Sequence, residues 1–111
     1  MCIRDRGVLA ALSGALAVMA GAFGAHGAEA RAAELLRIGG HYQLIHAVAA
    51  LVALRLGAAG PGWLFVVGAA LFAGSLYGLA FGGPRLLGPV TPMGGALMIA
   101  GWLWLAWRLK G

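Results

Sequence analysis

His26, Tyr42, Gln43, His46, Arg85 and Thr91 are the side chains in this sequence whose types and spacing could support chemistry, with Ser75 and Tyr77 as neighbours. His46 follows Tyr42 by four residues and Gln43 by three, a spacing that places all three on one helical face. Histidine titrates near neutral pH, so His26 and His46 could pass a proton. Most such relays also use a carboxylate at membrane depth. Here the only acids are Asp5, Glu29 and Glu34, and all lie outside the apolar stretches. Three histidines also raise the question of a metal. His41 and His46 are five apart and fall on different faces, and no carboxylate or thiol completes a ligand set. No metal and no cofactor is expected.

The remaining chemistry is hydrogen bonding. Polar groups at membrane depth face the bundle interior and find partners there. Interhelical bonds from His26, Gln43 and His46 would be worth about 0.6–2 kcal/mol each. Tyr42 and Tyr77 read most simply as interfacial aromatics, and Thr91-Pro92 as a helix N-cap with proline in the first turn. Ser13 and Ser75 have no acidic partner nearby and Cys2 is terminal, so no nucleophile–base–acid set exists and no enzymatic activity is expected.

The elements that must position these groups are four stretches without Asp, Glu, Lys or Arg: Gly7–Ala25, Ile38–Leu54, Leu56–Pro84 and Leu86–Trp107. A bilayer core about 30 Å thick takes roughly 20 apolar helical residues. The chain has 111 residues, 62% hydrophobic and 10% charged. It therefore reads as one all-α integral membrane domain, with spans at about 7–25, 40–56, 61–81 and 92–107. Too little remains outside the spans for a soluble module. The net charge of +5 does not point to nucleic acid, because the basic residues stand singly or in pairs at span ends. The single Cys2 excludes an intrachain disulfide and leaves the redox compartment open.

Along the chain, Ser13, Ala17, Gly21 and Ala25 form a small-residue ridge suited to close helix packing. A basic start and an apolar run also fit a signal peptide, with Ala25-His26-Gly27 as a passable cleavage site. The length of the run and its ridge favour a retained span. Residues 28–38 are amphipathic: Ala28, Ala32, Leu35 and Leu36 share a face, and Arg31–Glu34 and Glu34–Arg37 can pair. This segment predicts a short interfacial helix between spans one and two, with a solvated helical loop as the alternative. The segment 57–62, Gly82-Gly83-Pro84 and the segment 88–92 are breakers. Ala70, Gly74, Gly78 and Gly82 form a second ridge, a double GxxxG pattern. Gly94, Gly95, Ala96, Ala100 and Gly101 give span four a small face.

Short connections predict an antiparallel four-helix bundle. Trp63 at one span start and Trp102, Trp104 and Trp107 at another span end would then form an aromatic belt on one side. Arg4, Arg6, Arg55, Arg108 and Lys110 share that side, against Arg31, Arg37 and Arg85 opposite. That bias predicts both termini in the cytoplasm. The polar residues named first should gather near the other leaflet.

Several strings carry a resemblance: Gly21-Ala22-Phe23-Gly24-Ala25-His26, Tyr42-Gln43-Leu44-Ile45-His46-Ala47, Gly74-Ser75-Leu76-Tyr77, Gly88 with Thr91-Pro92-Met93-Gly94-Gly95, and Ala100-Gly101-Trp102. In order and spacing, over about residues 7–107, the chain resembles the domain of unknown function 423 family. These are small membrane proteins that include bacterial YgdD-type proteins and the eukaryotic transmembrane protein 256. The resemblance implies a multi-pass inner-membrane protein without an assigned activity, and it carries over no catalytic residue. Residues 1–6 are unlike an apolar family start and resemble translated adapter sequence. Without them the charge count is three against three. The expected function is a structural, assembly or partner-binding membrane component, in contact with the bilayer and with itself or a larger complex. The alternatives are an oligomeric small-solute, ion or proton transporter or channel, and a lipid-headgroup binder using Arg85 and the His26–Tyr42 region.

Overall fold

The computed structural model describes residues 3–27 and 29–110, with the side chains of Ile3 and Arg4 excepted. Cys2 and Ala28, both named above, lie outside the described residues. The chain forms four helices: α1 (Ile3–His26), α2 (Ala30–Arg55), α3 (Ala59–Ala80) and α4 (Leu87–Leu109). Together they make a rod of 47 × 24 × 22 Å. α1, α3 and α4 are long and apolar enough to cross a membrane. α2 is the longest at 26 residues, or about 39 Å at 1.5 Å per residue, and it carries the charged pair Glu34–Arg37 near its start.

Glycines end α2 and α3 in the same way. After α2, Gly57 has φ 77°, its N–H bonds Leu54 O at 3.1 Å, and the N–H of Ala58 reaches Ala53 O at 2.8 Å. After α3, Gly82 has φ 84°, with Gly82 N–H on Leu79 O at 3.2 Å and Gly83 N–H on Gly78 O at 2.7 Å. Both are Schellman motifs, in which a left-handed residue lets two N–H groups close the last carbonyls. An added Cβ is strained there, so both breakers in the sequence have a definite mechanism. Gly82 belongs to this turn and not to a packing ridge.

Two sequence expectations change here. Residues 30–38 are not a separate interfacial helix but the first turns of a continuous α2. Their apolar face has a protein partner: Ala32 and Leu36 are buried, and a Cβ on Gly24 of α1 would lie 3.2 Å from Leu36 Cβ and 3.3 Å from Ala33 O. The segment 88–92 is likewise helical, since α4 starts at Leu87 and contains Pro92. Pro89 falls in the first turn, where its missing N–H costs nothing. The N-cap position belongs to Leu86, with no side-chain cap, so Thr91 is free for another role.

Each helix packs chiefly on its neighbour in sequence, with α2 and α3 inside, and α1 touches α3 only slightly. The buried apolar residues are mostly alanines, such as Ala10, Ala47, Ala50, Ala53, Ala69 and Ala73, while large residues such as Leu16, Met19, Val48, Ile99 and Leu103 face outward. Small residues let backbones approach where no water is available to drive packing. The closest approach joins α3 to α4: a Cβ on Gly94 would collide with Phe72 N and stand 2.6 Å from Gly68 O.

Candidate functional site

The polar centre begins with Gln43, buried on α2. Its amide Nε2 donates to Ser13 Oγ on α1 at 3.1 Å, and its Oε1 accepts from the Tyr77 hydroxyl on α3 at 2.6 Å. One side chain thus ties three helices. Two glycines beside it make room. A Cβ on Gly39 would lie 2.7 Å from the Tyr77 ring, and one on Gly40 would lie 3.0 Å from Ala17 O and 3.4 Å from Gly21 N of α1.

One turn further along α2, His46 is buried and both its ring nitrogens are engaged. Nδ1 lies 2.7 Å from Tyr42 O, and Nε2 lies 3.0 Å from the indole Nε1 of Trp102 on α4. A carbonyl only accepts and an indole N–H only donates. The imidazole is therefore neutral, with its proton on Nδ1. Phe65 backs the pair, its ring 4.7 Å from Trp102 and 5.6 Å from His46. Gly101 admits that ring, since a Cβ there would lie 2.9 Å from Phe65 Cε1.

The third contact joins α3 to α4. Ser75 Oγ donates to Phe72 O at 2.8 Å, which leaves Thr91 Oγ1 to donate to Ser75 Oγ. Thr91 is an interhelical link rather than a cap.

The sequence-predicted residues separate into two groups. Gln43, His46 and Thr91 each bridge helices, with Ser13, Ser75 and Tyr77 as partners. Tyr42 contributes its carbonyl, and its ring meets Phe72 at 5.3 Å, edge to face. His26 and Arg85 are exposed. Of the packing residues, Ser13 and Ala17 are buried, Gly21 is half-buried and Ala25 is exposed; Ala70 and Gly74 lie on an open face of α3. A Cβ on Gly74 would meet nothing within 4 Å, and one on Gly78 would press on Leu87 Cδ1.

Trp102 is the residue that sequence reasoning misplaced. It is not part of an end belt but the partner of His46. The remaining tryptophans stay near the end of the rod: the Trp104 ring fills the space beside Gly60, and Lys110 Nζ sits 5.8 Å over Trp107. Arg108 Nη2 donates to Gly57 O there at 2.9 Å, tying the end of α4 to the α2–α3 turn. A signal existed, because Trp102 is six residues, about 9 Å of helix, deeper than Arg108, where an indole N–H surrounded by hydrocarbon needs an acceptor.

Comparison with known proteins finds a family and relatives named as membrane proteins. Residues 20–95 match the family described as Protein of unknown function (DUF423). That range contains all of the strings quoted above except Ala100-Gly101-Trp102. A UPF0382 membrane protein of Haemophilus influenzae is 41% identical over 111 residues, covering 89% of this chain and 88% of that protein. One from Staphylococcus epidermidis is 39% identical over 106 residues, covering 86% and 87%. The UPF0382 membrane protein YwdK of Bacillus subtilis is 38% identical over 108 residues, covering 86% and 88%. No solved structure matches the chain. With a family match over most of its length and relatives of equal extent, all named as membrane proteins, the chain belongs to the DUF423 family of UPF0382 membrane proteins.

Proposed function

We propose that the protein is a non-catalytic, multi-pass component of the bacterial inner membrane that acts through its packing surfaces, associating with itself or with a larger membrane complex. The observation that carries this reading is the state of the buried polar side chains. Ser13, Gln43, His46 and Ser75 are all occupied by hydrogen bonds within the chain. Groups consumed in this way hold helices in register and are not offered to a passing solute. Outside, Ala70 and Gly74 leave a shallow strip on α3 where a partner helix could approach closely.

The arrangement we read is antiparallel. Ser13 meets Gln43 while Gly24 meets Leu36, so the α1–α2 contacts run in opposite chain directions. Arg6 shares a small cavity with Leu54 and Trp63, and Arg108 bonds Gly57. Both termini then lie at one end, and we read that end as cytoplasmic on an Arg and Lys excess that residues 1–6 supply. The first turns of α2, with Glu34 and Arg37, emerge at the other face at headgroup level.

Native mass spectrometry from nanodiscs should show an oligomer or a constant partner. Gly74→Leu should dissolve that association without lowering the thermal midpoint. A chain that stays monomeric and unpartnered would sink the proposal. So would ion or proton flux in liposomes that His46→Ala abolishes in a stably folded protein. For orientation, a C-terminal fluorescent reporter should report the cytoplasm.

A further inference from the structure

α2 and α4 do not close on each other along their length, and among the described residues His46–Trp102 is the side-chain hydrogen bond between them. Beside that bond lies a crevice of about 380 Å³ whose walls include Tyr42, His46, Phe72, Gly95 and Trp102. Its volume falls in the range of small-molecule sites, about 300–1,000 Å³. Rings form most of the wall: Phe72 stands edge-on to Tyr42 at 5.3 Å, and Trp102 edge-on to His46 at 5.9 Å. Trp102 also lines a second crevice of about 280 Å³, whose other walls are aliphatic, from Ile45, Val48, Val52 and Leu105.

Gly95 is the telling residue. Its neighbour Gly94 is required by the α3–α4 contact, but a Cβ on Gly95 would meet only Phe72 Cδ1, at an ordinary 3.9 Å. Alanine would fit there and favour the helix by about 1 kcal/mol. Packing gives no reason for a glycine at this position. Without a side chain it leaves that wall of the crevice low, and a large residue there would fill it.

We propose that these two crevices are a binding site for a lipid-soluble molecule with a flat, carbonyl-bearing ring and an aliphatic tail, the chemistry of a quinone headgroup on its chain. The mouth is bordered by outward-facing apolar residues such as Ile99, so a ligand enters from the bilayer and not from water. The ring lies among Tyr42, Phe72 and Trp102 beside Gly95, and the tail lies along the aliphatic crevice past Trp102. His46 has no nitrogen to spare. The Tyr42 hydroxyl, on a side chain 43% exposed, is the donor that meets a ring carbonyl. Hydrogen-bond complementarity and the division into aromatic and aliphatic chambers select this occupant over a plain acyl chain, which needs neither rings nor a donor.

The test uses the full chain in detergent, titrated with decylubiquinone, which quenches tryptophan emission on contact. Quenching should saturate at one molecule per chain. Tyr42→Phe should weaken binding about tenfold, the loss of one hydrogen bond, and Gly95→Leu should abolish saturation. Ile99→Phe narrows the mouth from outside and should have the same effect if Gly95→Leu does not fold. Quenching that rises without saturation, or that is equal in wild type and both crevice-filling variants, overturns the site. Saturable quenching by a spin-labelled phospholipid chain, with none by the quinone, overturns the occupant.

Discussion

Gln43 concentrates more of the fold than any other side chain, because its amide has a donor end and an acceptor end and the structure uses both. Gln43→Leu should lower stability in detergent by about 1–3 kcal/mol, the sum of two interhelical bonds. Tyr77→Phe should lose about half of that, and a double-mutant cycle between the two should show coupling. His46 and Trp102 form an equivalent pair, so Trp102→Phe should cost about 1 kcal/mol and loosen α4 without disturbing α1. The exposed pair behaves differently. Arg37, hydrogen-bonded to Glu34 and carrying the opposite charge, holds the Glu34 carboxyl below the usual carboxylate range. Its depressed value means that the contribution to stability is present above the ordinary carboxylate range and is lost as pH falls through the lowered midpoint. NMR titration should find that midpoint raised by Arg37→Gln, with little change in thermal stability, since solvent screens the pair and keeps its contribution small. The identities of Gln43, His46 and Thr91 as interior polar residues were legible in the sequence. Their partners were not, because partner choice depends on which helices touch, and local spacing does not encode that.

At the scale of the elements, glycine position separates packing from appearance. Gly94→Ala puts a methyl group into the α3 backbone and should destabilise by about 1–3 kcal/mol. Gly74→Ala should be neutral or stabilising by up to about 1 kcal/mol within a single chain, because its side faces open space. Thermal unfolding of the two variants in one detergent checks both. The four-residue glycine pattern in α3 was the most conspicuous string in the sequence, yet the intimate contact is one helical face away, at Gly68 and Gly94. Periodicity reveals a smooth strip, but not what lies against it. The α2 start fails for a related reason: amphipathic residues 28–38 read as an interfacial helix, whereas from Ala30 on they belong to α2 and Ala33 and Leu36 lie against Gly24 of α1.

For the molecule as a whole, the number of helices and the membrane-crossing character of α1, α3 and α4 were legible in the charge distribution, since any Arg or Asp within a span would be costly. The outer boundaries did not, because helices continue beyond the hydrophobic core where charge permits: α2 by its charged first turns and α4 by its proline-bearing ones. The packing order α1–α2–α3–α4 has a consequence for biogenesis. Each helix made during synthesis finds its principal partner already there, directly upstream in the nascent chain, and the search for contacts remains local. An intermediate arrested after α2 would already hold the Ser13–Gln43 bond, with the acceptor end of Gln43 waiting for Tyr77 to arrive on α3.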